Sequence, residues 1–478
     1  MPDMRSKLLL MRLAAALTAV LLVLTLFGSC GDEDDVYLEV YTMPVNLDPQ
    51  LAQGEEAELV IRQMFKRLVT VRDGEICPSA AESWEVSGDG LRYTFTIAQE
   101  EYWSDDEPLL AEDFVFAFER LFSPETDSPF AEDFASVSGA SERLSGEETA
   151  IGVTAPDEHT VEFTLSQPDN RFLYLLSTTA ASPCREDFFL STHGRYGLTM
   201  QTILGNGDYR VTTWNDSELR LRGVSGTAEE GTSILLSTET EEQQYAVWQL
   251  SSEDGDGLVY GLMLNPDCPL FAESGVRKAL LCDLPEDIPR HLLPEWMWQD
   301  GKELDIPQME LSDMRQMFQQ GASAAGGSRG YTVLVSEESG LYDAFAAIAQ
   351  IWQQDFGLFL AVEQLPEREV IARVESGEYD AALTFLNAEY DHPSGVLSQL
   401  LKADETAGTG KFSELYGQAA AETDPEQAKE LLFAAEQALL DEGFFLPVFL
   451  LRTELLSGPL AHSDNPGGRE ISIYHLVT

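Results

Sequence analysis

The chain is predicted to be an α/β protein built from more than one lobe. Its 478 residues exceed the usual single-domain size, so two or three lobes are expected, each large enough to bury a core. Residues 81–97 and 151–165 carry apolar side chains at every second position, the period of half-buried strands. From Tyr342 to Phe385 the pattern instead alternates between helical and strand periods, as βαβ construction does.

The elements follow in order. Val36, Leu38 and Val40 alternate as a strand, and Ala57, Val60, Ile61, Met64 and Leu68 mark one face of a helix. Trp84 and Val86, the turn residues Ser87-Gly88-Asp89-Gly90, and then Leu91, Tyr93, Phe95 and Ile97 spell a β-hairpin. Past Trp103-Ser104-Asp105-Asp106-Glu107-Pro108 the period lengthens, and Phe114, Val115, Phe118, Leu121 and Phe122 share a helical face. Ile151 and Val153, then Val161, Phe163 and Leu165, form two strands around Pro156-Asp157-Glu158, so strands dominate this middle lobe. Alternation resumes after Gly205–Tyr209 through Val211, Trp214, Leu219 and Leu221, whereas 223–258 is rich in Gly, Ser, Thr and Glu.

A second helical lobe follows. Phe345, Ile348, Ala349 and Trp352 line a helix over Tyr342–Phe356; Leu358, Leu360 and Val362 make a strand, Val370–Ser376 a helix and Tyr379–Phe385 a strand. Asp424-Pro425-Glu426-Gln427 opens a helix with an acidic N-cap, proline at the first position and glutamine as capping-box partner. Leu432, Ala435 and Leu439 line its buried face, and Phe444–Phe449 is the closing strand. There is no internal repeat.

The formal charge is -54, from 29 Lys and Arg against 83 Asp and Glu. So acidic a chain has no means of building the basic patch that phosphate contacts require, so nucleic acid is excluded as a partner. Such charge favours solubility and attracts cations. Arg5, Lys7 and Arg12 precede an apolar run from Leu13 to Phe27 and then Gly28-Ser29-Cys30, which reads as a secretory signal over residues 1–29. The small-small-Cys ending resembles a bacterial lipobox, with Phe27 where leucine is usual. That likeness makes Cys30 the lipidated first residue of an acidic tether, 30–35, and places the body at the outer face of a cell membrane. The apolar run is shorter than the roughly 20 residues of a spanning helix. There is no C-x-x-C and no histidine at ligand spacing, so neither metal nor cofactor is expected. G-x-S-x-G, H-E-x-x-H and phosphate-loop patterns are also missing, and the chain is not read as an enzyme.

The motifs taken together resemble the extracytoplasmic solute-binding proteins of family 5, the oligopeptide-binding group of peptide ABC importers. The hairpin, the W-S-D-x-E-P loop and the A-E-D-F helix between Ala81 and Leu121 carry the resemblance. Further along, Asn46-Leu47-Asp48-Pro49 is similar to N-x-L-D-P, Gly205-Asn206-Gly207-Asp208-Tyr209 to G-T-G-P-Y, Val276–Leu280 to V-R-x-A-L, and Asn387–Pro393 to the A-D-Y-x-x-P loop. The resemblance implies a bilobal, periplasmic-binding-protein-like α/β fold of class II, cluster C type, with an extra lobe and hinge strands between lobes. Lobe I would comprise 36–80, 185–260 and 441–478, lobe II 81–184 and lobe III 261–440. It also implies a monomer that captures short peptides and delivers them to an ABC transporter permease.

The ligand site so implied consists of Glu389, Tyr390, Phe385, Tyr260, Asn265 and Asn46. Glu389 matches the acid that pairs with a peptide's α-ammonium group, one methylene longer than the usual aspartate. Tyr260–Asn265 is similar to a crossing strand that pairs with peptide backbone. Leu386 stands where relatives often have tryptophan, and 223–258 lacks the N-P-x-Y-W segment. Trp103, Asp105 and Glu107 read as a structural cap before a helix. Cys77 and Cys184 lie near the two ends of lobe II, where the resemblance leaves open a disulfide or four thiols packed as small apolar groups. The alternatives in function are another solute or signalling peptide on the same scaffold, or a secreted hydrolase.

Overall fold

The period-2 segments of the first half form one antiparallel sheet and one mixed sheet, and a helix laid across the antiparallel one supplies the core. The structure, a computed structural model, describes residues 35–39, 43–72, 75–227, 229, 231–238, 251–286, 288–299, 301–326, 330–337, 339–386, 392–401, 410–457 and 475–476. Its first body runs β1 (Asp35–Glu39), α1 (Glu55–Met64), β2 (Val69–Arg72), β3 (Glu75–Pro78), β4 (Ala81–Val86), β5 (Arg92–Ile97), α2 (Ala111–Leu121), α3 (Ala140–Leu144), β6 (Val153–Asp157) and β7 (Thr160–Thr164). It continues with α4 (Phe172–Leu175), α5 (Glu186–Ser191), β8 (Tyr209–Trp214), β9 (Glu218–Gly223) and β10 (Ser233–Ser237). The sheets have the orders β4-β5-β7-β6 and β1-β10-β9-β8, with β2 and β3 as a separate hairpin.

Alternation places Tyr93, Phe95 and Ile97 of β5 inward. The apolar face of α2 covers them: Phe118 packs edge-to-face on Phe163 of β7 and on Phe134, and Phe163 does the same with Phe95 and Phe172. One continuous core extends from Leu47 to Leu236, so the stretches assigned to lobes I and II share a single interior.

One expectation is corrected in this body, and one strand is added to it. The helix face predicted through Leu68 ends at Met64, because Phe65 is extended and the Met64 carbonyl accepts a hydrogen bond from Gly207 N instead (2.7 Å). Leu68 stays buried, but as part of the segment entering β2. Within the polar stretch 223–258 lies β10, whose Ile234, Leu235 and Leu236 are buried between a parallel neighbour, β1, and an antiparallel one, β9.

The second body contains β11 (Ser251–Leu264), α6 (Ser274–Cys282), α7 (Leu311–Ala324), β12 (Tyr331–Ser336), α8 (Tyr342–Phe356), β13 (Leu360–Leu365), α9 (Glu367–Glu375) and β14 (Ala381–Phe385). After these come α10 (Pro393–Leu397), α11 (Lys411–Ala421), α12 (Pro425–Glu442), β15 (Phe445–Ser457) and β16 (His475–Leu476). One sheet of order β13-β12-β14-β11-β15-β16 runs through it. β12 is parallel to both β13 and β14, while β11 is antiparallel to β14 and β15. Val333, Val335, Ala381 and Leu383 face the main core with Phe345, Ile348 and Trp352 of α8, and Leu334 and Ala382 face Val370 of α9. The parallel part is thus covered on both sides, as βαβ crossovers require.

Asp424 caps α12 as expected, its Oδ1 accepting from Glu426 N (3.0 Å) and Gln427 N (3.2 Å), but the reciprocal half of the expected capping box is replaced, Asp424 N donating to Glu422 Oε1 (2.9 Å). Arg277 of α6 donates to the carbonyls of Phe271, Ala272 and Glu442 and lies 3.7 Å from the Phe444 ring centroid, tying α6 to the end of α12. The four described cysteines are free thiols: Cys184 and Cys268 are buried, Cys77 and Cys282 half-buried.

Candidate ligand site between the two bodies

The order β13-β12-β14 places β12 between the strands that follow it, with one crossover helix on each side. Ligands of open α/β sheets bind outside the carboxyl ends of strands at such a switch point. At that end β14 changes from the fully buried Ala381–Leu383 to the half-buried Thr384 and Phe385, and Leu386 just after it is buried in the core again. Phe385 stands directly opposite Tyr260 of β11, with ring centroids 5.1 Å apart. These two expected site residues are brought together as a packed ring pair at the end of β14, with Tyr260 buried. Glu389 and Tyr390, the next in line, lie outside the described residues, as does Cys30.

The other two candidates are placed elsewhere. Asn265 follows the far end of β11, beside the amino end of β14. Its side chain donates to the carbonyls of Gly377 (3.2 Å) and Tyr379 (2.6 Å) and accepts from Asp267 N (2.9 Å), which closes the turns around it. Asn46 belongs to the first body, where its Oδ1 accepts from Asp48 N (2.9 Å) and shapes the turn entering that core. Gly197 packs on this turn so tightly that a Cβ would stand 2.3 Å from Asp48 N.

That turn is held by a buried cluster that the sequence pattern concealed. Arg120, on the buried face of α2, donates to Asp48 Oδ2 and Gln50 Oε1 (2.5 Å each) and approaches Cys184 Sγ (3.4 Å). The rings of Phe189 and Tyr196 flank its guanidinium, with centroids 4.2 and 5.1 Å away. Burial pushes the Cys184 thiol up to about 12, against the pull of Arg120, so it remains a neutral packing group and no nucleophile. A single arginine among phenylalanines in F-V-F-A-F-E-R-L was the available sequence signal.

The family-like loops converge on a second polar junction. Lys66 Nζ lies 3.2 Å from Glu101 and 3.5 Å from Asp208, Asn206 exchanges hydrogen bonds with the backbone of Lys66, and Ser104 N donates to Gly205 O. Trp103 Nε1 donates to Asp113 Oδ2 (3.0 Å), which also accepts from Leu110 N (2.9 Å). The W-S-D loop therefore caps α2 structurally.

The second body meets the first along α4. Asn170 N donates to Ala420 O (2.8 Å) and Asn170 Nδ2 to Ala419 O (2.6 Å), both at the end of α11. Arg171, held by both oxygens of Asp169, reaches Tyr416 OH (3.4 Å). The Tyr174 ring lies 4.3 Å from that of His392, which caps α10. Burial, reinforced by Lys429 and Arg171, lowers His392 to about 4 and keeps it neutral. Sequence reasoning had no signal for Asn170 or Tyr174, since their partners lie far along the chain.

Among the described residues no group of His, Cys, Asp and Glu is arranged to hold a metal ion, and no helix is long and apolar enough to cross a membrane. Among the described residues, Tyr260 and Phe385 form a packed ring pair where β14 ends.

Residues 75–223 match the family described as bacterial extracellular solute-binding proteins, family 5, middle region. The chain is 25% identical to the periplasmic oligopeptide-binding protein OppA of Escherichia coli, over 463 positions covering 84% of each chain. It is 33% identical to the probable deoxycholate-binding periplasmic protein YgiS of the same organism, over 176 positions, 36% of this chain and 33% of that one. The structure of the Escherichia coli murein tripeptide binding protein MppA superimposes with a TM-score of 0.73 at 21% identity, covering 94% of this chain and 99% of that one. Motif order, matched region and fold agree in their likeness to the bacterial extracellular solute-binding proteins of family 5, whose middle region residues 75–223 match.

Proposed function

We propose that this chain is a monomeric receptor, tethered outside the cell membrane by lipid on Cys30, that closes its two bodies over a short peptide and hands it to an ABC importer permease. One observation carries the reading: the switch-point strand β14 ends beside the Tyr260–Phe385 pair, and the chain returns three residues after Glu389 as His392, in contact with Tyr174 of the other body. A solute at the end of β14 is thereby within reach of both bodies. Glu389 supplies a carboxylate for the peptide α-ammonium, a charge-assisted pair that gains strength where water is excluded. A ligand shifts the population further toward the closed arrangement through contacts it makes with both bodies at once. Binding is followed by release, without bond cleavage.

The likeness to YgiS and the leucine at 386 favour a second reading, in which the same site takes a non-peptide solute. Native mass spectrometry of the purified chain, before and after unfolding and refolding, separates the two. A ladder of co-purified peptide masses is expected, and one non-peptide mass assigns the second reading. Glu389→Ala is expected to weaken free-amine peptides far more than N-acetylated ones. Equal losses for both overturn the ammonium role, and hydrolysis of a peptide library overturns the receptor reading itself.

A further inference from the structure

The contact along α4 joins two separate cores, one ending at Leu236 and the other beginning at Leu258. It is specific in its chemistry. The last carbonyls of a helix lack intrahelical partners, and those of α11 at Ala419 and Ala420 receive the side-chain and backbone N–H groups of Asn170, which caps α11 from another body. The Arg171 guanidinium adds positive charge near the same helix end, 5.7 Å from the Tyr416 ring, and Asp169 fixes its orientation. Tyr416 OH donates onward to Ser394 O (3.0 Å), and His392 Nδ1 meets Ser394 Oγ (2.7 Å), so α10 and α11 share the contact. Tyr174 covers His392. Asn170 and Arg171 are half-buried outside both cores and Tyr174 packs half-buried against the edge of the first, so this contact can part while both interiors stay closed.

We propose that Asn170, Arg171 and Tyr174 form a clasp that holds the two bodies together before any ligand arrives, so that solute entry requires its release. The clasp biases the ligand-free chain toward the arrangement seen here, and a solute then adds to a closed state that is already populated. The inference does not depend on what the solute is.

Small-angle X-ray scattering of the purified chain without ligand tests it, comparing the native sequence with Asn170→Asp and Tyr174→Ala. The aspartate turns a donor into an acceptor facing carbonyl oxygens, and the alanine uncovers His392. The native chain is expected to scatter as the compact arrangement, and each variant to shift to a larger radius of gyration, with the thermal transition of Asn170→Asp staying in place. Identical radii for all three, whether compact or expanded, overturn the clasp. Because no ligand is present, that result leaves the peptide-receptor reading untouched, which the mass measurement decides separately.

Discussion

Replacing Asp48 with alanine is expected to be among the most damaging single changes in the first body. The Arg120–Asp48 pair is deeply buried, with side chains 7% and 3% exposed. Removing the carboxylate leaves a buried guanidinium whose remaining partners, Gln50 Oε1, the Cys184 thiol and the Phe189 ring, are all neutral. Stranding one member of a buried pair costs roughly 3–5 kcal/mol. The lost Asp48 Oδ1 acceptor for Gln50 N adds about 1 kcal/mol. In urea, with a slope of about 2–3 kcal/mol per molar, the unfolding midpoint of the first body should fall by roughly 1.3–3 M. Asp48→Ala combined with Arg120→Met removes both charges and should recover most of that loss, because the cost lies in an uncompensated charge and not in a missing attraction. Tryptophan fluorescence reports the transition through Trp84, Trp103 and Trp214. A single-variant shift under about 0.3 M, or a double variant worse than Asp48→Ala alone, refutes this account of the cluster.

Gly207→Ala should destabilise by about 3 kcal/mol or more, since its Cβ would stand 2.5 Å from Met64 C and 2.6 Å from Gln63 O, backbone atoms that cannot swing away. Gly88→Ala, which meets nothing within 4 Å, is the thermal-melting control and should be near neutral. Arg67 is fully buried, donates to Phe65 O (2.9 Å) and leaves Nε without an acceptor, and burial lowers it to about 9. Arg67→Met should therefore be neutral or stabilising by about 1 kcal/mol, and a clear loss in urea titration would contradict the stated burial cost. His392, neutral in the fold with its pKa lowered to about 4, takes up a proton in the unfolded chain first as pH falls below 6.5. Its contribution to stability is complete above pH 6.5 and is lost progressively toward pH 4, by about 3 kcal/mol in total. His392→Asn should flatten that part of the stability profile, and an unchanged slope would show that other groups set it.

Much of the fold was legible because its signals are local. The helix over Tyr342–Phe356 has its expected bounds, and the Asp424 cap is made by two backbone donors within three residues. The hairpin from Ala81 to Ile97 pairs with Tyr93, Phe95 and Ile97 buried, as alternation requires. The candidate site was legible in part. Tyr260 and Phe385 were named from separate motifs and proved to be register partners, whereas Asn46 and Asn265 were named with them and instead secure turns in different bodies. A motif marks a residue that its surroundings constrain, but it does not say whether the constraint comes from a ligand or from a turn.

What the sequence determined by itself was the set of strands and helices with marked periods and caps, the acidic surface and the order of family-like motifs, because these depend on neighbours a few residues apart. The tertiary structure alone decided where α1 stops, since Gly207 claims the Met64 carbonyl from well over a hundred residues away. It alone decided that Arg120 is buried against Asp48 and that β12 lies between β13 and β14. It alone brought Asn170 to the end of α11. Each of these turns on a polar group or strand edge choosing one partner among many of equal chemistry, and only the packed cores settle which partner is near enough to be chosen.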